Sequence, residues 1–292
     1  MALYFMKHEL AASRGTSRAM SRASIAAAVM TAMLPSAHAG LGRVPFSTTG
    51  DFSEAAIVRG VQASAAQCAA ADNAVWADAG SDGAECLKYW AGGFGQLPVK
   101  KALVYFHGDI FVGTGKTAKS YLEASNNSLQ RNADDWGKRL GVPYIFVGRP
   151  GTHGSSGDHM QRRRPGESKI VSAALDVLKA RFGVQEWVVA GQSGGGHLTS
   201  SLITLRSDIV CAVPTSAPSS PRIRWEMMGR TRDTTNYADS YEPHRFVARS
   251  NAHPALRVFV LANPQDDRSK MVFDPTVRRH TDQFLFRFKK AK

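Results

Sequence analysis

The hydrophobic positions of this chain fall into short apolar runs that alternate with segments of helical periodicity. Continuous runs of β-branched and aromatic residues predict buried strands, and helical segments between them predict a parallel sheet covered on both faces. The predicted strands, in order, are "KALVYFHGD", "PYIFVGRPG", "EWVVAG", "DIVCAVPTS" and "ALRVFVLANP". The predicted helices are 126–140, "GESKIVSAALDVLKARFG" and "GGGHLTSSLITLRS". The fold class is therefore α/β, with a mostly parallel sheet.

Helical spacing assigns core-facing positions in the last two of these helices. Val171, Ala174, Leu175, Leu178 and Phe182 share one face of the first, and Gly183 ends it. In the second, the positions at helical spacing are Leu198, Leu202 and Leu205.

Residues 218–253 break the alternation, because they are polar and aromatic and contain no strand-like run. A segment of this length without a strand indicates an insertion, and we expect a lid or substrate-side cap over one end of the sheet.

The third strand runs into "VVAGQSGGGH", which has the G-x-S-x-G form with Ser193 at its centre. A serine on a sharp strand-to-helix turn needs very small neighbours two positions before and after it, because strand and helix approach closely there. The alternative is that these residues form only a glycine-rich turn between sheet and helix, with no catalytic role. A dinucleotide fingerprint is excluded because no G-x-G-x-x-G register exists here. The strand before and the helix after favour Ser193 as a nucleophile.

A rival pattern, "GTGKT" at 113–117, is similar to a phosphate-binding loop. The full motif needs a glycine five residues before Gly115, where the chain has Ile110, and it begins directly at a strand end. A loop at the rim of the sheet is the better interpretation.

The turn "YFHGD" follows the first predicted strand, where a backbone N–H can be directed into the site. Acyl transfer needs two such donors for the oxyanion, and the amides of Asp109 and Gly194 are the candidates. His107 is expected to brace this loop and not to transfer protons. Arg149 and Arg162–Arg164 are expected at the rim as solvated charges, with binding of an acidic substrate as the alternative.

The acid and base of a triad belong after the later strands. Asp266 is the preferred acid and Asp267 the alternative, because both follow "VFVLANPQ". His280 is a weak candidate for the base, since it lies within a further helix predicted by "DPTVRRHTDQFLFRFKK". The last strand with its histidine is expected to be missing from this chain. Such a loss would expose a sheet edge, which predicts association or poor solubility.

Weaker candidates for the catalytic base are His153, His159, His197, His244 and His253.

The motifs "YFHGD", "GRPGTHGSSGDH", "VVAGQSGGGH" and "LANPQDD", in this order, resemble the α/β-hydrolase superfamily. Within it they look closest to exported bacterial proteins of the prolyl-oligopeptidase or dienelactone-hydrolase type. The resemblance covers about residues 86–292. It implies Ser193 as nucleophile, Asp109 and Gly194 as oxyanion donors, and Asp266 as the orienting acid.

The N-terminal residues have a basic segment, a short apolar stretch and the small-x-small site Ala37-His38-Ala39, which predict a secretory signal at 1–39. Met20 is an alternative start. The stretch is too short to span a bilayer, so no stable membrane span is expected. Residues 40–85 form a predicted N-terminal extension, and 86–292 the hydrolase domain. Export would place the protein in the periplasm or outside the cell.

Composition narrows the remaining possibilities. Of three cysteines, Cys68 and Cys86 are expected to form a disulfide in an oxidising compartment, and Cys211 to be a buried free thiol. The net charge of +13 comes mostly from scattered residues, so no nucleic-acid partner is expected.

No metal or organic cofactor is needed for the predicted chemistry. The predicted function is a serine hydrolase acting on a small-molecule or peptide substrate, an esterase or a peptidase; the alternative is an inactive exported binding protein. The oligomeric state is left open.

Overall fold

The computed structural model describes residues 42–50, 52–110, 119–217, 220–232 and 237–261. The strands are β1 (Val44–Pro45), β2 (Val61–Gln62), β3 (Ala74–Asp78), β4 (Ala84–Gly92), β5 (Lys101–Phe106), β6 (Tyr144–Val147), β7 (Glu186–Gln192), β8 (Ile209–Thr215) and β9 (Arg257–Val258). The helices are α1 (Glu54–Arg59), α2 (Ala65–Ala69), α3 (Lys119–Leu122), α4 (Asn126–Leu140), α5 (Pro165–Phe182), α6 (Gly194–Leu205), α7 (Pro221–Met227) and α8 (Pro243–Phe246). Short 3₁₀ turns lie at Gly80–Asp82, His159–Gln161 and Val247–Arg249.

The main sheet has the strand order β3-β4-β6-β5-β7-β8-β9. The five strands from β6 to β9 in that order are parallel to one another, while β4 runs antiparallel to both β3 and β6. The predicted mostly parallel α/β sheet is confirmed. Because β3 and β4 begin at Ala74 and Ala84, the sheet starts earlier than residue 86, where the sequence placed the domain boundary.

Alternate residues of the strands face two separate cores. On β4 and β6, Trp90 and Phe146 pack with Ala133 of α4, whereas Leu87 and Ile145 belong to the larger core that α5 and α6 cover. Side chains of successive strand residues point to opposite faces, so the helices lie on both faces of the sheet, as predicted.

The periodicity predictions for α4, α5 and α6 hold, with one exception. Helix α4 covers the predicted 126–140, and Gly183 ends α5 in a left-handed conformation with φ of 59°. In α6, Leu198 and Leu202 are fully buried, but Leu205 is exposed. The prediction for Leu205 is wrong because it lies in the last turn of α6, where the helix leaves the sheet.

Cys68 of α2 and Cys86 of β4 form the predicted disulfide, and both residues are buried. The link joins the N-terminal segment to the sheet and closes a loop over 18 positions of sequence. Cys211 is a free thiol, as predicted, but it is only half-buried on β8. Its predicted full burial is therefore wrong.

The described parts of the predicted insertion, 220–232 and 237–253, contain α7, α8 and a 3₁₀ turn and no strand. Tyr241 anchors this segment: its N–H donates to the carbonyl of Arg163 at 2.7 Å, and its hydroxyl lies 2.8 Å from that of Thr204 on α6. No helix in the described part of the chain is long and apolar enough to cross a membrane.

Candidate active site

Ser193 lies at the turn between β7 and α6, as the motif predicts. Its φ of 53° and ψ of −115° are unusual for a residue with a side chain, and the residue is partly exposed. The Ser193 N–H donates to the carbonyl of Thr215 on the neighbouring strand β8 at 2.8 Å. The backbone is therefore held in a strained conformation that presents the hydroxyl at the carboxyl end of the sheet.

The glycines around Ser193 are required by close backbone contacts. A β-carbon on Gly191 would overlap the carbonyl group of Gly195, and one on Gly195 would overlap the carbonyls of Phe106 and His107. These contacts bring the start of α6 against the ends of β5 and β7. The glycine positions of the G-x-S-x-G pattern thus have the steric origin that the sequence suggested.

The two residues predicted to supply the oxyanion donors are in contact. Asp109 follows the end of β5, and its carboxylate lies against the Cα atom of Gly194, the first residue of α6. Within the described residues, neither the Asp109 N–H nor the Gly194 N–H donates to a protein acceptor. The Ser193 N–H donates to Thr215, so the amides of Asp109 and Gly194 remain the candidate donors.

The side chains of Asp109, Arg149, Glu167 and Arg163 form a closed ring of buried charged groups. Arg149 Nη1 donates to Asp109 Oδ1 at 2.9 Å, and Arg149 Nε donates to Glu167 Oε1 at 2.7 Å. Glu167 Oε2 accepts the Arg163 N–H at 2.6 Å, and the Arg163 guanidinium returns to Asp109 Oδ2. Arg162 Nε approaches Asp109 Oδ2 from a third side at 3.5 Å.

The side chains of this ring are almost completely buried, since Asp109 and Arg149 are 0% exposed and Arg163 is 7% exposed. The expectation that Arg149, Arg162 and Arg163 are solvated loop charges is therefore wrong. They are buried because Asp109 and Glu167 neutralise them, and buried charges persist when they are paired. Arg164 alone lies at the rim, where it pairs with the exposed Asp239 at 2.8 Å.

Electrostatics keep Asp109 ionised within this cluster. Burial raises the pKa of its carboxyl, but attraction from Arg163, Arg149 and Arg162 together outweighs burial and holds the pKa far below its usual range. Burial lowers the pKa of the Arg149 guanidinium, but the attraction of Glu167 and Asp109 raises it above its ordinary value. Asp109 and Arg149 are therefore both ionised at neutral pH.

His107 braces the loop after β5, as predicted. Its Nδ1 lies 2.6 Å from the carbonyl oxygen of Gly108, and its Nε2 lies 2.9 Å from the Thr152 hydroxyl. Burial, with the charge of His153 and Arg149, lowers its pKa well below 6.5. A neutral ring with both nitrogens engaged holds two loops together and is not available as a base for Ser193.

Three other buried histidines, His153, His159 and His197, are also poor candidates for the base. His159 Nε2 accepts the Ile110 N–H at 3.1 Å, and His197 Nε2 lies 2.8 Å from the carbonyl of Tyr241. Burial lowers the pKa of His153 to about 3 and that of His197 to about 4. Within the described residues, no histidine hydrogen-bonds the Ser193 hydroxyl.

Several predicted residues lie outside the described residues: the acid candidates Asp266 and Asp267, the base candidate His280, and the 113–117 loop. Strand β9, which should lead to the acid, is present, and its continuation at Leu261 bridges to Thr215 beside Ser193. Leu261, the last described residue of this run, thus lies at the edge of the sheet where Ser193 is found. The assignment of Asp266 and His280 stays a prediction.

A cavity of about 440 Å³ lies behind the ring and not over Ser193. Its walls are strongly charged and include Glu85, Asp158, Arg162, Arg164, Glu167 and Asp239. Because its walls include Glu167 of the ring and the neighbouring Arg162, this cavity adjoins the buried side of the site. Among the described residues, no group of three or more His, Cys, Asp or Glu side chains is placed to hold a metal ion.

The strand order, the antiparallel strand β4 at the side of the sheet, and the serine turn after the central strand β7 together define the α/β-hydrolase fold. No family model and no curated protein matches the sequence.

Several solved structures are similar to this chain at low identity. Est1E from Butyrivibrio proteoclasticus, solved with ferulic acid bound, has a TM-score of 0.48 and 16% identity over 74% of this chain and 86% of that one. An esterase from Pyrococcus furiosus has a TM-score of 0.47 and 16% identity over 74% and 77% of the two chains. A putative dipeptidyl aminopeptidase IV from Bacteroides ovatus has a TM-score of 0.49 and 15% identity, covering 75% of this chain and 30% of that one.

The charged ring is the main feature that sequence reasoning missed. Its members come from three separate segments, and the sequence treated "QRRRP" as a surface charge run. One signal was present: Arg149 directly follows the buried strand "PYIFVG", and an arginine that is buried needs a paired carboxylate. Glu167, early in the following helix, is the carboxylate that such an arginine needs.

Proposed function

We propose that this protein is a serine hydrolase that cleaves an ester or amide bond through an acyl-enzyme on Ser193. One observation carries the proposal: a partly exposed serine at φ of 53° is followed by Gly194, which Asp109 contacts, and no described acceptor uses the amide of either residue. A strained turn and unused amides, one at the N-terminus of α6 and one in the loop after β5, both cost stability, and together they supply a nucleophile and a site for an oxyanion.

The chemistry follows from this arrangement. Ser193 Oγ forms a bond to the carbonyl carbon of the substrate, and the π electrons of the carbonyl move to its oxygen, where the two N–H groups bind the negative charge. A base takes the hydroxyl proton and gives it to the leaving oxygen or nitrogen as the scissile bond breaks. Water then repeats the attack on the acyl-enzyme, which releases a carboxylic acid and restores Ser193.

A serine nucleophile of this kind needs a base and an acid that orients it. We propose Asp266 as the acid and keep His280 as the weak candidate for the base that the sequence offers, because both follow β9, whose last described residue lies at the edge of the sheet beside Ser193. Asp267 is the alternative acid. The described histidines are poor candidates, since His107, His159 and His197 already make other hydrogen bonds.

Hydrolysis of short-chain p-nitrophenyl esters tests the proposal, with Ser193→Ala as the control. We expect hydrolysis by the unaltered chain and a loss of about 10⁴-fold or more in kcat/KM on substitution. Labelling of Ser193 by a fluorophosphonate is a second readout, since it requires an activated hydroxyl and not full turnover. Equal rates for the two proteins, with no labelling, would instead support the inactive binding protein.

The substrate class within hydrolases needs its own comparison. A matched series of a p-nitrophenyl ester and an amide or short-peptide substrate with the same acyl group separates esterase from peptidase activity. Export is a further part of the proposal: the Cys68–Cys86 disulfide is compatible with an oxidising compartment, and the predicted signal at 1–39 lies outside the described residues. N-terminal sequencing of the secreted protein tests cleavage after Ala39.

A further inference from the structure

We infer that Arg149 and Glu167 are positioning residues, which hold the Asp109 amide in place as an oxyanion donor; the inference rests on the proposed hydrolase function. Neither side chain touches the substrate in this scheme. They act through the buried ring Asp109–Arg149–Glu167–Arg163. The side chain of Asp109 is part of this ring, and its backbone N–H is one of the two proposed donors.

Arg149 grips the loop after β5 at two points. The same nitrogen, Nη1, donates to Asp109 Oδ1 at 2.9 Å and to the carbonyl oxygen of His107 at 3.2 Å. A rigid planar guanidinium can satisfy acceptors on the loop and on Glu167 at once, while the single ammonium of a lysine cannot reproduce this fork. The Gly108–Asp109 peptide group, which carries the proposed donor N–H, lies between these two anchored points and is thereby fixed in orientation.

The ring also contacts the second donor. A β-carbon on Gly194 would overlap the Asp109 carboxylate and lie 2.8 Å from Arg149 Nη1. The ion pair therefore packs directly on the residue whose N–H is the other donor. One group of side chains sets the spacing between both amides, and displacement of about 1 Å in such a site can cost about 100-fold in rate.

Charge balance gives the ring a second effect on the reaction. The Asp109 carboxylate lies beside the place where negative charge develops on the substrate, and an unpaired carboxylate there would oppose that charge. Arg149 and Arg163 neutralise it at contact distance, and Glu167 in turn holds Arg149 in orientation. Loss of this pairing should therefore act on the transition state more than on the bound substrate.

The test compares Arg149→Lys and Glu167→Gln with Arg164→Lys in the full chain. Arg164 is the matched control, because it is a neighbouring arginine in an exposed ion pair outside the ring. The concentration of competent sites is first titrated with a fluorophosphonate, and kcat and KM for a p-nitrophenyl ester are then expressed per titrated site. An arylboronic acid, which forms a tetrahedral anion on the serine, provides an inhibition constant for the transition-state geometry.

For both ring variants we expect kcat per titrated site to fall about 10- to 100-fold, KM to change less than about threefold, and the boronic acid to bind more weakly in proportion to kcat. The control should stay within about twofold of the unaltered chain. If Arg149→Lys does not fold, Glu167→Gln, which keeps every arginine, decides the question.

A purely structural role would lower the titrated fraction but leave kcat per titrated site and boronic acid affinity unchanged, and that result would overturn the inference while the hydrolase function stands. A chain that neither hydrolyses the ester nor reacts with the fluorophosphonate would remove the proposed function and this inference together.

Discussion

The carboxylate of Asp109 occupies the space that a side chain on Gly194 would need. The first residue of α6 must therefore be glycine for a reason distinct from the strain at Ser193. Gly191 and Gly195 are required by backbone approaching backbone, whereas Gly194 is required by a buried ion pair.

Substitution Gly194→Ala should destabilise the fold and suppress activity. A β-carbon there meets the Asp109 carboxylate and Arg149, both fixed by their partners, so the ring must shift. We expect the free energy of unfolding to fall by about 1–3 kcal/mol in urea titrations. Gly95→Ala is the control, because a β-carbon on Gly95 meets nothing within 4 Å. A neutral effect of Gly194→Ala would contradict the described packing.

Substitution Ser193→Gly should stabilise the protein while it removes the nucleophile. Glycine adopts a φ of 53° without the penalty that a side chain incurs, so about 1 kcal/mol of stored strain should be recovered. Thermal unfolding measures this as a higher Tm. Ser193→Ala is the comparison, since it removes the hydroxyl and keeps the strain. A Tm for the glycine variant below that of the alanine variant would argue against a strained turn.

Stability should fall as the pH drops below about 6.5, before carboxylates titrate. Burial lowers the pKa of His197 to about 4 and that of His153 to about 3, and it lowers the pKa of His107 and His159 as well. The unfolded chain then binds protons that the folded chain does not, so each buried histidine costs about 1.4 kcal/mol per pH unit between 6.5 and its folded pKa.

The variant His197→Gln tests this pH dependence. The glutamine amide can still donate to the carbonyl of Tyr241, which His197 Nε2 now faces. Urea unfolding at pH 7, 6 and 5 should show a loss of stability that is shallower by about one proton in the variant. Identical slopes for the two proteins would mean that His197 is not buried in its neutral form.

Removal of the disulfide in Cys68→Ala/Cys86→Ala should lower the free energy of unfolding by about 3 kcal/mol. The crosslink spans 18 positions, and closing a loop of this size reduces the entropy of the unfolded chain by about that amount. Chemical denaturation with and without reductant measures the loss. Cys211→Ala is the control, since Cys211 is a free thiol. Insensitivity of the unaltered protein to reductant would speak against this contribution.

The acid and base assignments predict a selective pattern in the segment after β9. We expect His280→Gln and Asp266→Asn each to lower kcat by about 10³-fold or more, with Asp267→Asn within about twofold. Steady-state kinetics on the p-nitrophenyl ester decide this. The reverse order for the two aspartates would move the acid to Asp267. Full activity of His280→Gln would require a different base.

The sequence alone predicted the features that depend on local pattern. Strand β7 is an apolar run, and glycines stand at the positions around Ser193 where backbones approach closely, so the turn at Ser193 could be located. Strand β4 was missed because Lys88 and Glu85 interrupt its apolar run; Lys88 is nevertheless 1% exposed. Its ammonium donates to backbone carbonyls of Thr48 and Asp72, contacts distant in sequence that periodicity cannot reveal.

The charged ring was beyond prediction for the same reason. Whether Arg149 and Arg163 are solvated or buried depends on where Asp109 and Glu167 lie in space, and a charge on one segment does not identify its partner on another. The histidines illustrate the complementary case. The bracing role of His107 could be predicted from its place in the "YFHGD" turn, and the structure supplies its partner, Thr152.

The hydrogen bond from Ser193 to Thr215 ties the bend at the serine to the seam between β7 and β8. The bend can flatten only if these two central strands part at their carboxyl ends. Presentation of the hydroxyl and cohesion of the strand pair are thus lost in a single event, and a sample whose serine has become unreactive through heating should also have lost its sheet at the same temperature.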